Sequence, residues 1–189
     1  METIKIDAYS IKELTGTAQQ RAKDRIYEIL EDVFLDTIQN EISEYFIPEF
    51  INSKGFDADN VFYSLSYSQG DGAMFEGRVN DISKFTANKR AIKVLSEYGI
   101  YAKFTHKGRY YHEKSYDFTL DFPELKPTQY RLKEEFEKIE QNIIDVYEET
   151  CKEIYKQIQA HHEAHTSEEN IFDFADGNGY QFNERGHLI

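Results

Sequence analysis

Between Leu132 and Ile158 the residues Leu132, Phe136, Ile139, Ile143, Val146, Tyr147, Thr150, Cys151, Ile154 and Ile158 recur every three or four positions, the period of one helix face. The stripe persists for about seven turns, and a helix of that length with one apolar side must bury it against another element. Either a second helix covers it, as in a coiled coil, or the open face of a sheet does. Because the chain also carries aromatic and β-branched runs that read as strands, we favour a helix lying across an antiparallel sheet.

Residues 61–67 are rich in β-branched and aromatic side chains with serine at alternate positions. They are followed by a Gly70-Asp71-Gly72 turn and a second such run at 74–80, so 61–80 predicts a hairpin. Residues 100–105 and 111–122 predict another. Between them a helix over about 87–98 stops at Gly99, a residue suited to a left-handed terminal position. Upstream, Thr17-Ala18-Gln19-Gln20 has the spacing of a capping box, and Ala18, Ala22, Ile26, Ile29, Leu30 and Val33 begin a helical stripe. Ile38, Ile42, Tyr45 and Phe46 continue it to Pro48, which kinks the helix or separates two. Residues 3–7 fit a short strand, 168–176 a short acidic helix and 180–182 an edge strand. The expected fold is a single α+β domain over 1–189, an antiparallel sheet of four to five strands packed by long N- and C-terminal helices.

A chain of 189 residues can bury a core without disulfides or a structural metal, and Cys151, the one cysteine, sits on the helical stripe as a small core residue. No apolar run approaches the roughly 20 residues that span a bilayer. Residues 1–10 lack the cationic and apolar regions of a signal peptide, so the expected location is cytoplasmic, with no membrane partner. The formal charge of −13 disfavours direct nucleic-acid binding and favours a partner with a basic surface. The charge is uneven: residues 24–60 hold ten acids against two bases, whereas 78–114 hold three acids against nine bases. Either the basic stretch binds a small anion or these opposite charges pair with each other.

Two polar runs between strand-like segments supply the candidate ligand-binding residues. In Ser68-Gln69-Gly70-Asp71-Gly72-Ala73 the glycines allow close approach to the backbone, while Ser68, Gln69 and Asp71 offer donors and acceptors. No Walker or Rossmann spacing accompanies them, and an ordinary turn with Asp71 bonding its own backbone is the plain alternative. In the run from His106 to His112, His106, Arg109, Tyr110 and His112 could join Glu76 and Arg78 around a small anion or nucleotide, if loops 68–76 and 106–112 meet. A hydrolase built from Asp71, Glu76 and His106 or His112 lacks any recognised catalytic spacing, so no catalytic residue is assigned and the expectation leans away from an enzyme. His161-His162-Glu163-Ala164-His165 falls one residue short of the His-Glu-x-x-His zinc arrangement, and histidines near a helix C-terminus already interact favourably with its dipole. No metal or cofactor is expected, and the oligomeric state stays open.

The combination of Tyr67-Ser68-Gln69-Gly70-Asp71-Gly72-Ala73-x-Phe75-x-Gly77, His106-x-Gly108-Arg109-Tyr110-x-His112 and Tyr180-Gln181-Phe182-Asn183-Glu184-x-Gly186 resembles a group of small proteins carried by phages and other mobile elements. The order matches from end to end, and residues 14–22 resemble that group's opening. Some members are labelled antitoxins of toxin-antitoxin systems, so the resemblance implies binding and neutralising a toxin or host-defence protein, not catalysis.

Overall fold

Ala22, Ile26, Leu30, Phe34, Ile38, Ile42 and Phe46 are buried at strict four-residue intervals. On a helix of 3.6 residues per turn each such step drifts by about 40°, so the apolar stripe winds around the helix. Val33 and Tyr45, which the period alone placed in the stripe, are exposed, and Phe34 takes a buried place in it. The computed structural model describes residues 7–66, 68–124 and 127–189. Apart from Asp7, the strand expected at 3–7 lies outside them.

The fold is α+β. Helix α1 (Gly16–Glu41) runs into a π-helical segment, Ile42–Ile51. Pro48 sits inside that segment: its ring clashes with the preceding turn of a four-residue ladder, and the wider winding gives the ring room. At the start of α1 the Gln20 side chain donates forward to Asp24 Oδ1 (2.8 Å), one turn further along the helix. Strands β1 (Phe56–Ser64) and β2 (Gly72–Val79) form an antiparallel hairpin with a bulge between Ala58 and Asn60. Helix α2 (Lys89–Tyr98) follows, its first amides capped by the Asn88 side chain. Strands β3 (Tyr101–His106) and β4 (Tyr116–Asp121) complete a four-stranded antiparallel sheet in the order β1-β2-β3-β4. Helix α3 (Lys133–His165) and helix α4 (Glu168–Gly177) end the chain's regular structure. Phe182 makes isolated bridges with Tyr9 and Leu188, so 180–182 does not extend the sheet.

The residues divide into two compact units, Met1–Gln39 with Ile158–Ile189, and Asn40–Gln157. In the first, Ile11, Leu14, Ala22, Ile26 and Leu30 pack with Ile171, Ala175 and Phe182. In the second, α3 covers one face of the sheet. Tyr147 is its central contact: the ring stacks on Phe104 of β3 (centroids 3.8 Å apart, planes 3° apart) and packs against Phe75 of β2 at 4.5 Å. Its hydroxyl donates to the Phe75 carbonyl at 2.7 Å. A tyrosine so deeply buried needs a partner for its hydroxyl, and a strand carbonyl supplies one. Phe56 joins the cluster edge-on to Phe75 and Phe104.

Candidate functional site

The two loops selected from the sequence meet. β2 and β3 pair at Gly77 with Phe104 and at Arg78 with Lys103; next to these pairs, the His106 amide donates to the Glu76 carboxylate (2.9 Å). Beyond it the chain between β3 and β4 folds back over the start of β2. A Cβ added at Gly72 would lie 2.6 Å from His112 Cα, and one at Gly70 would overlap the Tyr110 ring. The glycines of the Ser-Gln-Gly-Asp-Gly run are therefore needed where Tyr110 and His112 press onto the backbone.

Asp71 organises its own turn. Its carboxylate accepts from the Ser64 hydroxyl (2.9 Å), the Ser66 amide and hydroxyl (3.0 and 2.7 Å) and the Ser68 amide (2.9 Å). Partial burial works against ionisation, but the hydrogen bonds from Ser66, Ser68 and Ser64 outweigh it and hold the carboxyl down at about 2. The serines at alternate positions 64, 66 and 68 thus serve Asp71, and a carboxylate so occupied is a poor general base near neutrality. Glu76 is similarly engaged, accepting from the His106 amide and from Asn60 Nδ2 (3.3 Å).

Across the clamp, His106 Nε2 donates to the Tyr110 carbonyl (3.1 Å), and its ring stacks on Phe62 and lies tilted against Tyr111. Phe62 and Tyr111 are themselves nearly parallel at 5.4 Å. His112 Nδ1 accepts from the Lys114 amide (3.1 Å). Ser115, buried beneath the loop, donates its amide to the His112 carbonyl and accepts from the Lys107 amide, both at 2.9 Å. Arg109 and Gln69 are exposed, and the Arg109 guanidinium lies over the Tyr110 ring, 5.0 Å from its centroid. Phe62, Tyr111, Ser64 and Ser66 belong to this assembly although the sequence reading did not select them. The alternating serines were the one signal for the last two.

The opposite charges of the chain pair in part. Arg78 grips Asp57 across the hairpin through Nε and an amino group (3.1 and 2.8 Å), Lys107 pairs with Asp117, Lys103 with Asp59 and Lys93 with Glu97. Arg109, in the same stretch, pairs with no carboxylate among the described residues.

Buried titratable groups elsewhere belong to packing. Cys151 is fully buried, and burial pushes its thiol up to about 12, away from the thiolate a nucleophile needs. Burial, reinforced by a hydrogen bond to Glu148, raises the Tyr116 phenol to about 12. In the first unit, buried His162 meets Glu31 at 2.6 Å, with Phe34 edge-on to its ring. Among the described residues no group of three or more His, Cys, Asp or Glu side chains is placed to hold a metal ion, and no helix is long and apolar enough to cross a membrane. The first unit also carries shallow clefts of about 270 and 320 Å³, neither of which includes a residue selected from the sequence.

Residues 32–168 match the family model DUF8835, described as a domain of unknown function. No curated protein and no solved structure matches the chain.

Proposed function

The chain belongs to the DUF8835 family, and from that premise we propose that it is a non-enzymatic binding protein that docks on a basic protein surface and neutralises its partner. The observation that carries this reading is the outer face of α1. Residues 26–39 hold four acids and no base, and on the face that carries Glu28, Asp32 and Asp36 the Leu35 side chain is 52% exposed. An apolar knob flanked by like charge suits a partner with an apolar recess and a basic rim: the apolar contact provides affinity, and the charges steer encounter and fix register.

The polar loops support a binding protein over an enzyme. Of the acid/base set weighed above (Asp71, Glu76 and His106 or His112), both carboxylates accept hydrogen bonds from within the fold, and each histidine has one ring nitrogen bonded to backbone, His106 Nε2 to the Tyr110 carbonyl and His112 Nδ1 to the Lys114 amide. The sequence resemblance supplies the biological setting of this proposal, an antitoxin-like accessory protein of a phage or mobile element acting on a toxin or host-defence protein in the cytoplasm.

The test is photo-crosslinking from position 35 in a host lysate, identification of the captured protein, and titration of that protein in purified form. Saturable binding that weakens with salt and is lost in Glu28→Gln/Asp32→Asn/Asp36→Asn supports the proposal. Binding by that triple variant at wild-type affinity, or no saturable partner, overturns it.

A further inference from the structure

We propose that Arg109, presented on the clamped loop, is the receptor for a phosphate oxyanion. In a chain with 35 acidic and 22 basic side chains, an arginine has many carboxylates to choose from. Arg78 and Lys107 take them, whereas Arg109 lies over the Tyr110 ring instead. Among the described residues no hydrogen bond or ion pair takes its N–H donors, which leaves the fork geometry that grips a phosphate through two parallel hydrogen bonds for an outside acceptor.

The support beneath it is built. Tyr110 rests on Gly70, its carbonyl accepts from His106, and the loop is closed by the Lys107 amide donating to the Ser115 carbonyl and the Ser115 amide donating to the His112 carbonyl. Little ordering remains to be done when the anion arrives, which lowers the entropic cost of a small contact. The site is open to solvent, with Arg109 exposed and Tyr110 45% exposed. The affinity expected of one solvated guanidinium with an aromatic support is weak, because an exposed ion pair gains little against water and salt.

The oxyanion can be inorganic phosphate or the phosphate of a nucleotide, and the experiment separates them. The full chain is titrated at constant ionic strength with inorganic phosphate, adenosine monophosphate and adenosine, while the Arg109 Nε–H and Tyr110 amide resonances are followed by NMR. We expect saturable shifts with both phosphates and none with adenosine alone. A tighter fit for the nucleotide assigns that source, and equal affinities assign the bare anion. Arg109→Gln, an exposed substitution whose spectrum reports an intact fold, abolishes the response. Tyr110→Ala weakens it about threefold by removing the stacked support. Absence of saturable shifts with either phosphate, or shifts that persist in Arg109→Gln, overturns the proposal. Either result leaves the docking face on α1 untouched, since that reading rests on other residues and another class of ligand.

Discussion

The Tyr110 ring lies directly against Gly70, so that a Cβ at position 70 would fall 2.6 Å from Tyr110 Cε1. Two segments separated by about forty residues in sequence are thereby locked into one surface, and each explains the other's composition. The turn needs glycine because an aromatic ring covers it, and the ring is held in place because the turn has no side chain there.

Substitution at the two glycines should separate a movable neighbour from an immovable one. Gly70→Ala meets a partly exposed ring that can swing aside and should cost about 1 kcal/mol, whereas Gly72→Ala meets the His112 backbone and should cost about 3 kcal/mol. Denaturant unfolding of both variants checks the order. In a Tyr110→Ala background the cost of Gly70→Ala should nearly vanish, and a cost that stays unchanged would remove the clamp from the account.

Tyr147→Phe keeps the stack on Phe104 and removes only the hydroxyl that donates to the Phe75 carbonyl. A loss of about 1–2 kcal/mol is expected in the denaturant midpoint, with an unchanged slope. A variant as stable as the wild type would mean that the buried hydroxyl adds nothing net to the joining of α3 and β2.

Asp71 gives the turn a defined pH dependence. Its folded-state pKa, about 2, lies below the ordinary 3.8, so its contribution to stability is present above about pH 4 and is lost as pH falls through about 2. Asp71→Asn should flatten the stability-versus-pH curve in that window and leave its shape near neutrality unchanged. Thermal melts of both proteins across the acid range provide the comparison, and parallel curves would contradict the role given to the three serines.

Cys151 should resist modification until the protein unfolds. Full burial and a thiol raised to about 12 predict negligible reaction with an aromatic disulfide reagent at about pH 8, and one equivalent of reaction in denaturant. Rapid labelling of the native protein would place the thiol near the surface and refute the packing described for α3.

The elements that the sequence determined by itself are those whose signal is local and repeated. The stripe from Phe136 to Ile158 became α3 with those positions buried or half-buried and Leu132 buried in the turn just before it, the hairpin around Gly70-Asp71-Gly72 formed, and α2 and α4 begin near their expected starts. A helix period or a turn residue acts within a few positions, so it can be read without knowing what lies across the fold. The tertiary structure alone decided the rest. Residues 111–115, which the sequence reading placed at the start of the last strand, lie outside β4: the chain there folds back so that Tyr110 and His112 pack on Gly70 and Gly72. Strand β1 begins at Phe56, five residues before the run that predicted it, since Phe56 gains the aromatic cluster around Tyr147. Which of the polar residues would be spent on hydrogen bonds inside the fold and which would face solvent likewise depended on distant partners. Asp71 is taken up by serines of its own turn, whereas Glu76 is taken by the His106 amide thirty residues further on, which only the pairing of β2 with β3 brings within reach.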